Sequence, residues 1–201
     1  MQEAAHLPLT QWENFYVIVG SSAGALTGLQ FVVMTLLSES SAASGMVGVR
    51  AFGTPTVVHF CAVLLISAII SSPWPTLASA GFALGITGFF GLLYSSSIIK
   101  HARQSDLYKP DFEDWIWYAA LPIAAYALLL TGAALLHWHT LPALFLIAAT
   151  SLMLLFIGIH NSWDSVTYIA VSRPKNEKTD HQRLSVSHNA RLLFFHERLQ
   201  S

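Results

Sequence analysis

Charge is what this sequence has least of. Only 10% of its 201 residues are Asp, Glu, Lys or Arg, against about 25% in an ordinary soluble domain. With 54% hydrophobic residues and a mean hydropathy of +0.53, a deficit that large excludes water as the main solvent. A net charge of −1 leaves no electrostatic footprint for nucleic acid. There is one cysteine, Cys61. It excludes an internal disulfide, and its apolar surroundings in the sequence predict a buried, inert thiol. No H-E-x-x-H, phosphate-binding loop or dinucleotide fingerprint is present. Gly20-Ser21-Ser22-Ala23-Gly24 matches a nucleophile elbow in letters. That motif needs a strand–turn–helix setting, and here it falls inside a continuous apolar run, which makes it a chance match. A Ser22–His pair would also be mismatched in membrane depth, which leaves an intramembrane hydrolase a distant reading.

Basic residues are missing altogether before Arg50. The first apolar run therefore lacks the basic flank of a signal peptide and exceeds its apolar length of roughly 7–15 residues. It is expected to be a membrane span and not a cleavable leader.

What the sequence does have is long runs without charge. There are 25 uncharged residues between Glu13 and Glu39, 49 between Arg50 and Lys100, and 49 between Asp114 and Asp164. One membrane span takes about 20 apolar residues, so the first run holds one span and each of the others a hairpin of two. The fold class predicted is an all-α bundle of five transmembrane helices at about 11–37, 54–71, 76–99, 114–136 and 141–171. These form a single transmembrane domain over 1–171, followed by a tail over 172–201. Leu192, Phe195 and Leu199 recur at helical spacing there, predicting a short helix at 190–200 that lies on the inner membrane surface or docks on the bundle.

Five spans place Arg50, Lys100, Arg103, Lys109, Arg173, Lys175, Lys178, Arg183, Arg191 and Arg198 on one side, which is every basic residue in the chain. The positive-inside rule then predicts the N-terminus outside and the C-terminus in the cytoplasm of an inner or plasma membrane. Four or six spans would split that set. The tryptophans give the same boundaries, with Trp12, Trp74 and Trp138 at the outer interface and Trp115, Trp117 and Trp163 at the inner one.

Local signals refine the helices. Thr10-Gln11-Trp12-Glu13 reads as a capping box. Ser38–Gly53, rich in Ser, Ala and Gly, reads as a flexible loop, and Ser72-Pro73-Trp74-Pro75 as an outer turn. Pro122 predicts a kink, and Thr140 a cap for the fifth helix. A shift of 64 residues aligns Trp74 with Trp138 and Thr76-Leu77 with Thr140-Leu141. Two hairpins of equal length built for one bilayer explain that without a duplication. Gly20, Gly24 and Gly28 form a small-residue stripe expected to make the tightest helix contact, within a protomer or between protomers, and Gly81 and Gly85, with Gly88, give a second such face. Two such faces predict a homo-oligomer.

The stretch that draws attention for function is Leu154-Leu155-Phe156-Ile157-Gly158-Ile159-His160-Asn161-Ser162-Trp163-Asp164. It begins as lipid-grade sequence and turns polar with no break, and polar groups within a membrane segment mark function by default. Helical rise places His59 and His160 at similar depth near the inner boundary, with Asp164 one turn beyond on the His160 face and Gln30 and Tyr94 at a comparable level. The two imidazoles are then expected to face each other across the bundle. Gln30, His59, His160, Asn161 and Asp164 are the residues expected on an ion or proton pathway. The plainer alternative is that His160, Asn161 and Asp164 sit in the headgroup layer and tie the fifth helix to its neighbours. The function expected is a small oligomeric ion or proton channel or transporter. The alternatives are a haem- or metal-binding redox subunit and a non-catalytic scaffold or sensor whose tail binds a cytoplasmic partner. No cofactor is required by the sequence. Metal candidates are His59 and His160, with His101 as a further inner one, and the outer pair His137 and His139 with His6, though no ligand spacing supports them.

Overall fold

The computed structural model describes residues 9–40, 45–104 and 112–167. Among the described residues the chain is helical throughout and has no strand. In order come α1 (Glu13–Ser40), α2 (Gly45–Ser71), α3 (Leu77–Gln104), α4 (Phe112–Trp115), a π-helical turn (Ile116–Ala120) and α5 (Leu121–Leu135). The last helix is α6 (Thr140–Thr167). α4, the π turn and α5 join without a gap into one rod. Five stretches among the described residues are long and apolar enough to cross a membrane: Glu13–Thr35, Thr54–Ser71, Leu77–Lys100, Ile116–Leu135 and Thr140–Thr167.

The chain divides into two compact units, Met1–Trp163 and Asp164–Ser201. In the second, the described residues are the final turn of α6, where the Thr167 hydroxyl donates to the Asp164 carbonyl (3.0 Å). The helix expected at 190–200, and the rest of the tail, fall outside the described residues.

In the first unit, polarity is inverted relative to a water-soluble protein. Val17, Ile18, Phe31, Phe82, Phe90, Phe145 and Phe156 are all more than half exposed, while Gln30, His59, Ser95 and Asn161 are buried. Such an exterior fits lipid, and helices satisfy their own backbone polar groups there. Most intrahelical hydroxyls follow the same logic. Ser22, Thr27, Thr35, Thr87, Thr131, Thr150 and Ser151 each donate to the carbonyl four residues back, which hides a polar group against the backbone.

α6 touches the segment before α1, α2 and α5. Its Phe145 meets Trp12 before α1 edge-on (4.8 Å). Its Gly158 lies under Phe60 of α2, and its Ile147 fills the space beside Gly132 of α5. α1 runs along α2, and α3 along α5. The tight α2–α3 turn is closed by the Trp74 indole, which donates to the Ile69 carbonyl at the end of α2. Thr76 then caps α3, its hydroxyl oxygen accepting from the Ser79 amide (3.2 Å).

Several expectations are corrected. The stretch 45–53 is helical, so α2 begins at Gly45 and carries Pro55 in its interior; small residues that read as a loop extend a helix instead. At Pro122, where a kink is expected, a π turn precedes the ring. The ring lacks an N–H and would clash with the carbonyl four residues back, and the preceding Leu121 amide bonds to the Ile116 carbonyl, five residues back. The Thr140 hydroxyl does not cap α6; it donates to the Leu136 carbonyl (3.2 Å). Cys61 is exposed, not buried. Of the stripe on α1, only Gly20 is closely approached. A Cβ at Gly24 would find only Leu64 at 3.9 Å, and one at Gly28 would meet nothing within 4 Å. Gly81 does abut α5, its Cβ position lying 3.0 Å from the Ala133 carbonyl oxygen, whereas Gly85 is loosely packed. The tightest glycines are Gly91, whose Cβ would overlap the Tyr126 ring, and Gly158, whose Cβ would overlap Phe60. Large aromatics seated in glycine notches, not backbones brought together, make the closest contacts.

Candidate functional site

The site grows from one end of the first unit, where α2 begins its span and α1, α3 and α6 finish theirs. Lipid-like surroundings leave a buried polar side chain no water to bond, so its partner must come from another helix or from its own backbone. His59 on α2 is 1% exposed. Its Nδ1 lies 3.0 Å from the Tyr126 hydroxyl of α5. Either Tyr126 donates to an unprotonated Nδ1, or a protonated Nδ1 donates to the phenol oxygen. The Tyr126 ring reaches this position because Gly91 of α3 leaves it room. Tyr94 and Cys61 lie near enough to interact electrostatically with Tyr126. Ser95, one turn beyond Gly91 on α3, is fully buried, with no hydrogen-bond partner for its hydroxyl.

A second pair ties α1 to α6. The Ser162 hydroxyl donates to Oε1 of Gln30 (3.2 Å), and Gln30 is buried at 5% exposure. Next to Ser162, Asn161 is fully buried. One residue further back, the His160 ring stacks on Trp117, with centroids 3.7 Å apart and planes 6° from parallel. Trp117 is carried by the π turn, so the irregularity preceding Pro122 bears the platform on which His160 lies. Phe60 seats on Gly158, so its neighbour His59 and His160 fall within about one helical turn in height.

The expected residues therefore separate. Gln30, His59, His160 and Asn161 share one level of the first unit. Asp164 belongs to the second unit. His59 and His160 do not pair with each other: each imidazole has its own aromatic partner, Tyr126 and Trp117. Those partners, with Gly91, Ser95 and Ser162, are not among the residues expected on the pathway, although the sequence places Trp117 at the inner interface and Ser162 in the polar run that ends the fifth span. Tyr126 is the deeper of the two tyrosines in the fourth span, and that was the available signal, since a helical side chain leans toward its own N-terminus and so toward the His59 level.

Among the described residues no group of three or more His, Cys, Asp and Glu side chains is placed to hold a metal ion. His137 and His139 are exposed in the α5–α6 turn, and the His137 ring packs edge-on against Trp138 (5.7 Å), as interfacial side chains do.

The class these features support is the helical membrane protein, with five apolar helices enclosing polar side chains. No protein-family model matches the chain, and neither a curated protein nor a solved structure is significantly similar to it.

Proposed function

We propose that this chain is a five-span membrane protein that moves protons or small cations, with its N-terminus outside and its C-terminus in the cytoplasm. The observation that carries the reading is the hydrogen bond between His59 and Tyr126, buried within a layer that also holds Gln30, Asn161 and His160. An imidazole can take a proton on one nitrogen and release one from the other, and a phenol hydroxyl can accept and donate in turn. Polar side chains kept at such cost inside an apolar bundle favour a pathway over a purely mechanical role. Arg50, Lys100 and Arg103 fall at the same end as this layer, and by the positive-inside rule that end is cytoplasmic. Assembly into a homo-oligomer belongs to the same proposal. It is supported by Gly28, a small residue on α1 whose Cβ position has nothing within 4 Å among the described residues.

Purified protein in liposomes, assayed for H⁺, K⁺, Na⁺ and anion flux, tests the reading. Proton or cation flux is expected, reduced at least tenfold or so by His59→Ala and by Tyr126→Phe, and reduced less by His160→Ala and Asp164→Asn. Absence of flux for every ion, or flux indifferent to the first two substitutions, would refute it.

A further inference from the structure

Histidine meets tryptophan in two different ways in this fold. At the exposed α5–α6 turn His137 lies edge-on to Trp138, with centroids 5.7 Å apart and planes at 76°. Other ring pairs are edge-on too, such as Trp12 with Phe145 (83°) and Phe15 with Tyr16 (88°). Neutral rings favour such edge contacts, or offset stacks with centroids about 4.5–7 Å apart, because two electron-rich faces repel. Trp117 and His160 do the opposite. Their planes lie 6° from parallel and their centroids 3.7 Å apart, which is van der Waals contact and leaves little room for an offset. That geometry suits an imidazolium. Its positive charge is drawn to the electron-rich face of an indole, the strongest such platform among the side chains.

We propose that Trp117 is a positioning residue that holds His160 as an imidazolium, and that this stack is where a proton enters the His59 level. Both rings are half-buried, so the charge is taken up at the margin of the apolar bundle and not in its interior, where it would cost far more. Loading forms one N–H bond on the imidazole lone pair at the expense of an O–H bond of hydronium or water in the bathing solution. The π turn is a second support, since such turns recur at functional positions in helices and this one carries Trp117. Around the stack, the buried polar side chains Gln30, Ser95 and Asn161 carry no charge. His59 of α2 is engaged by Tyr126 of α5, with Tyr94 of α3 and Cys61 of α2 near that phenol. Lys100 of α3 and Glu113 of α4 are exposed. On α6 itself the next ionisable residue is Asp164, in the second unit. The entry role rests on the transport reading; the preference of the stack for a cation does not.

Tryptophan emission tests the stack, because an imidazolium in contact with an indole quenches it far more than a neutral imidazole does. The full-length protein carrying His137→Gln, which silences the outer pair, is titrated in lipid nanodiscs over about pH 8 to 5, where imidazoles take up their charge. Emission should fall with the pH. The same component of that fall should vanish in His160→Gln and in Trp117→Phe, and should remain in Asp164→Asn. A flat emission, or a fall undiminished in either of the first two variants, would overturn the proposal. A fall lost in Asp164→Asn would assign the cation to that carboxylate and overturn the role of Trp117. Should Trp117→Phe fail to fold, His160→Gln alone decides, since it leaves the indole in place. For the entry role, Trp117→Leu should slow proton flux into liposomes as far as His160→Ala does, and the two together no further. Wild-type flux in Trp117→Leu would overturn that role. A pH-dependent quench in a protein that passes no ions would remove the entry role and leave the stack standing.

Discussion

The first unit contains two buried polar regions, and they are built differently. At the His59 level polar and aromatic side chains are matched across helices: His59 with Tyr126, Gln30 with Ser162, His160 with Trp117. At the Tyr16 level the buried polar groups are hydroxyls, among them Tyr16, Ser67 and Ser151, and Ser67 there, like Ser95 at the His59 level, has no hydrogen-bond partner. The difference teaches that the two regions are held by different means. Matched pairs fix the first in one geometry, and a glycine notch is what admits its largest member. The second is shaped by Gly20 and Ser67 but leaves hydrogen-bonding capacity open. Of these two regions only the first holds an imidazole, so the proposed proton chemistry is placed there.

The strongest way to break this comparison is Gly91→Ala. The added methyl would overlap the Tyr126 ring, so the ring must leave its notch and abandon His59. A loss of about 3 kcal/mol in unfolding free energy is expected, at the upper end for overpacking, together with the loss of proton flux. Stability within error of wild type would show that Tyr126 does not depend on this notch. Tyr126→Phe is gentler, because the ring stays and only the hydroxyl goes. It leaves the buried His59 Nδ1 without its partner, for a cost of roughly 1–2 kcal/mol, and denaturation followed by circular dichroism can resolve that loss. Gly28→Ala should have the smallest effect. With nothing near its Cβ, α1 gains helix propensity of up to about 1 kcal/mol and the monomer is unharmed. A fall in oligomer mass by light scattering, with monomer stability kept, would identify Gly28 as a contact between copies; an unchanged mass would assign it to lipid.

How much of this was legible in the sequence follows from which physical signals are one-dimensional. Charge-free runs report spans directly, and five stretches long and apolar enough to cross a membrane are found where those runs lie. Helical rise is also one-dimensional, and it brought Gln30, His59, His160 and Asn161 to a common level. Azimuth is not. Nothing in the spacing of α2 says that His59 faces α5, or that Trp117 turns toward α6. The glycines show the same limit. Gly20, Gly24 and Gly28 form the more regular stripe, yet the isolated Gly91 and Gly158 make the tighter contacts, because what counts is the size of the residue opposite. The loop expected at 38–53 is helical in its described parts, 38–40 and 45–53, for another reason: Ser, Ala and Gly are weak signals, and Pro55 looks like a helix start although it sits inside α2.

The most direct test of the central claim is the ¹⁵N spectrum of His59 in lipid bilayers, recorded for the wild type and for Tyr126→Phe. A buried bond between Nδ1 and the phenol hydroxyl predicts a hydrogen-bonded Nδ1 resonance in the wild type that moves when the hydroxyl is removed. An Nδ1 resonance that is the same in both proteins would contradict it.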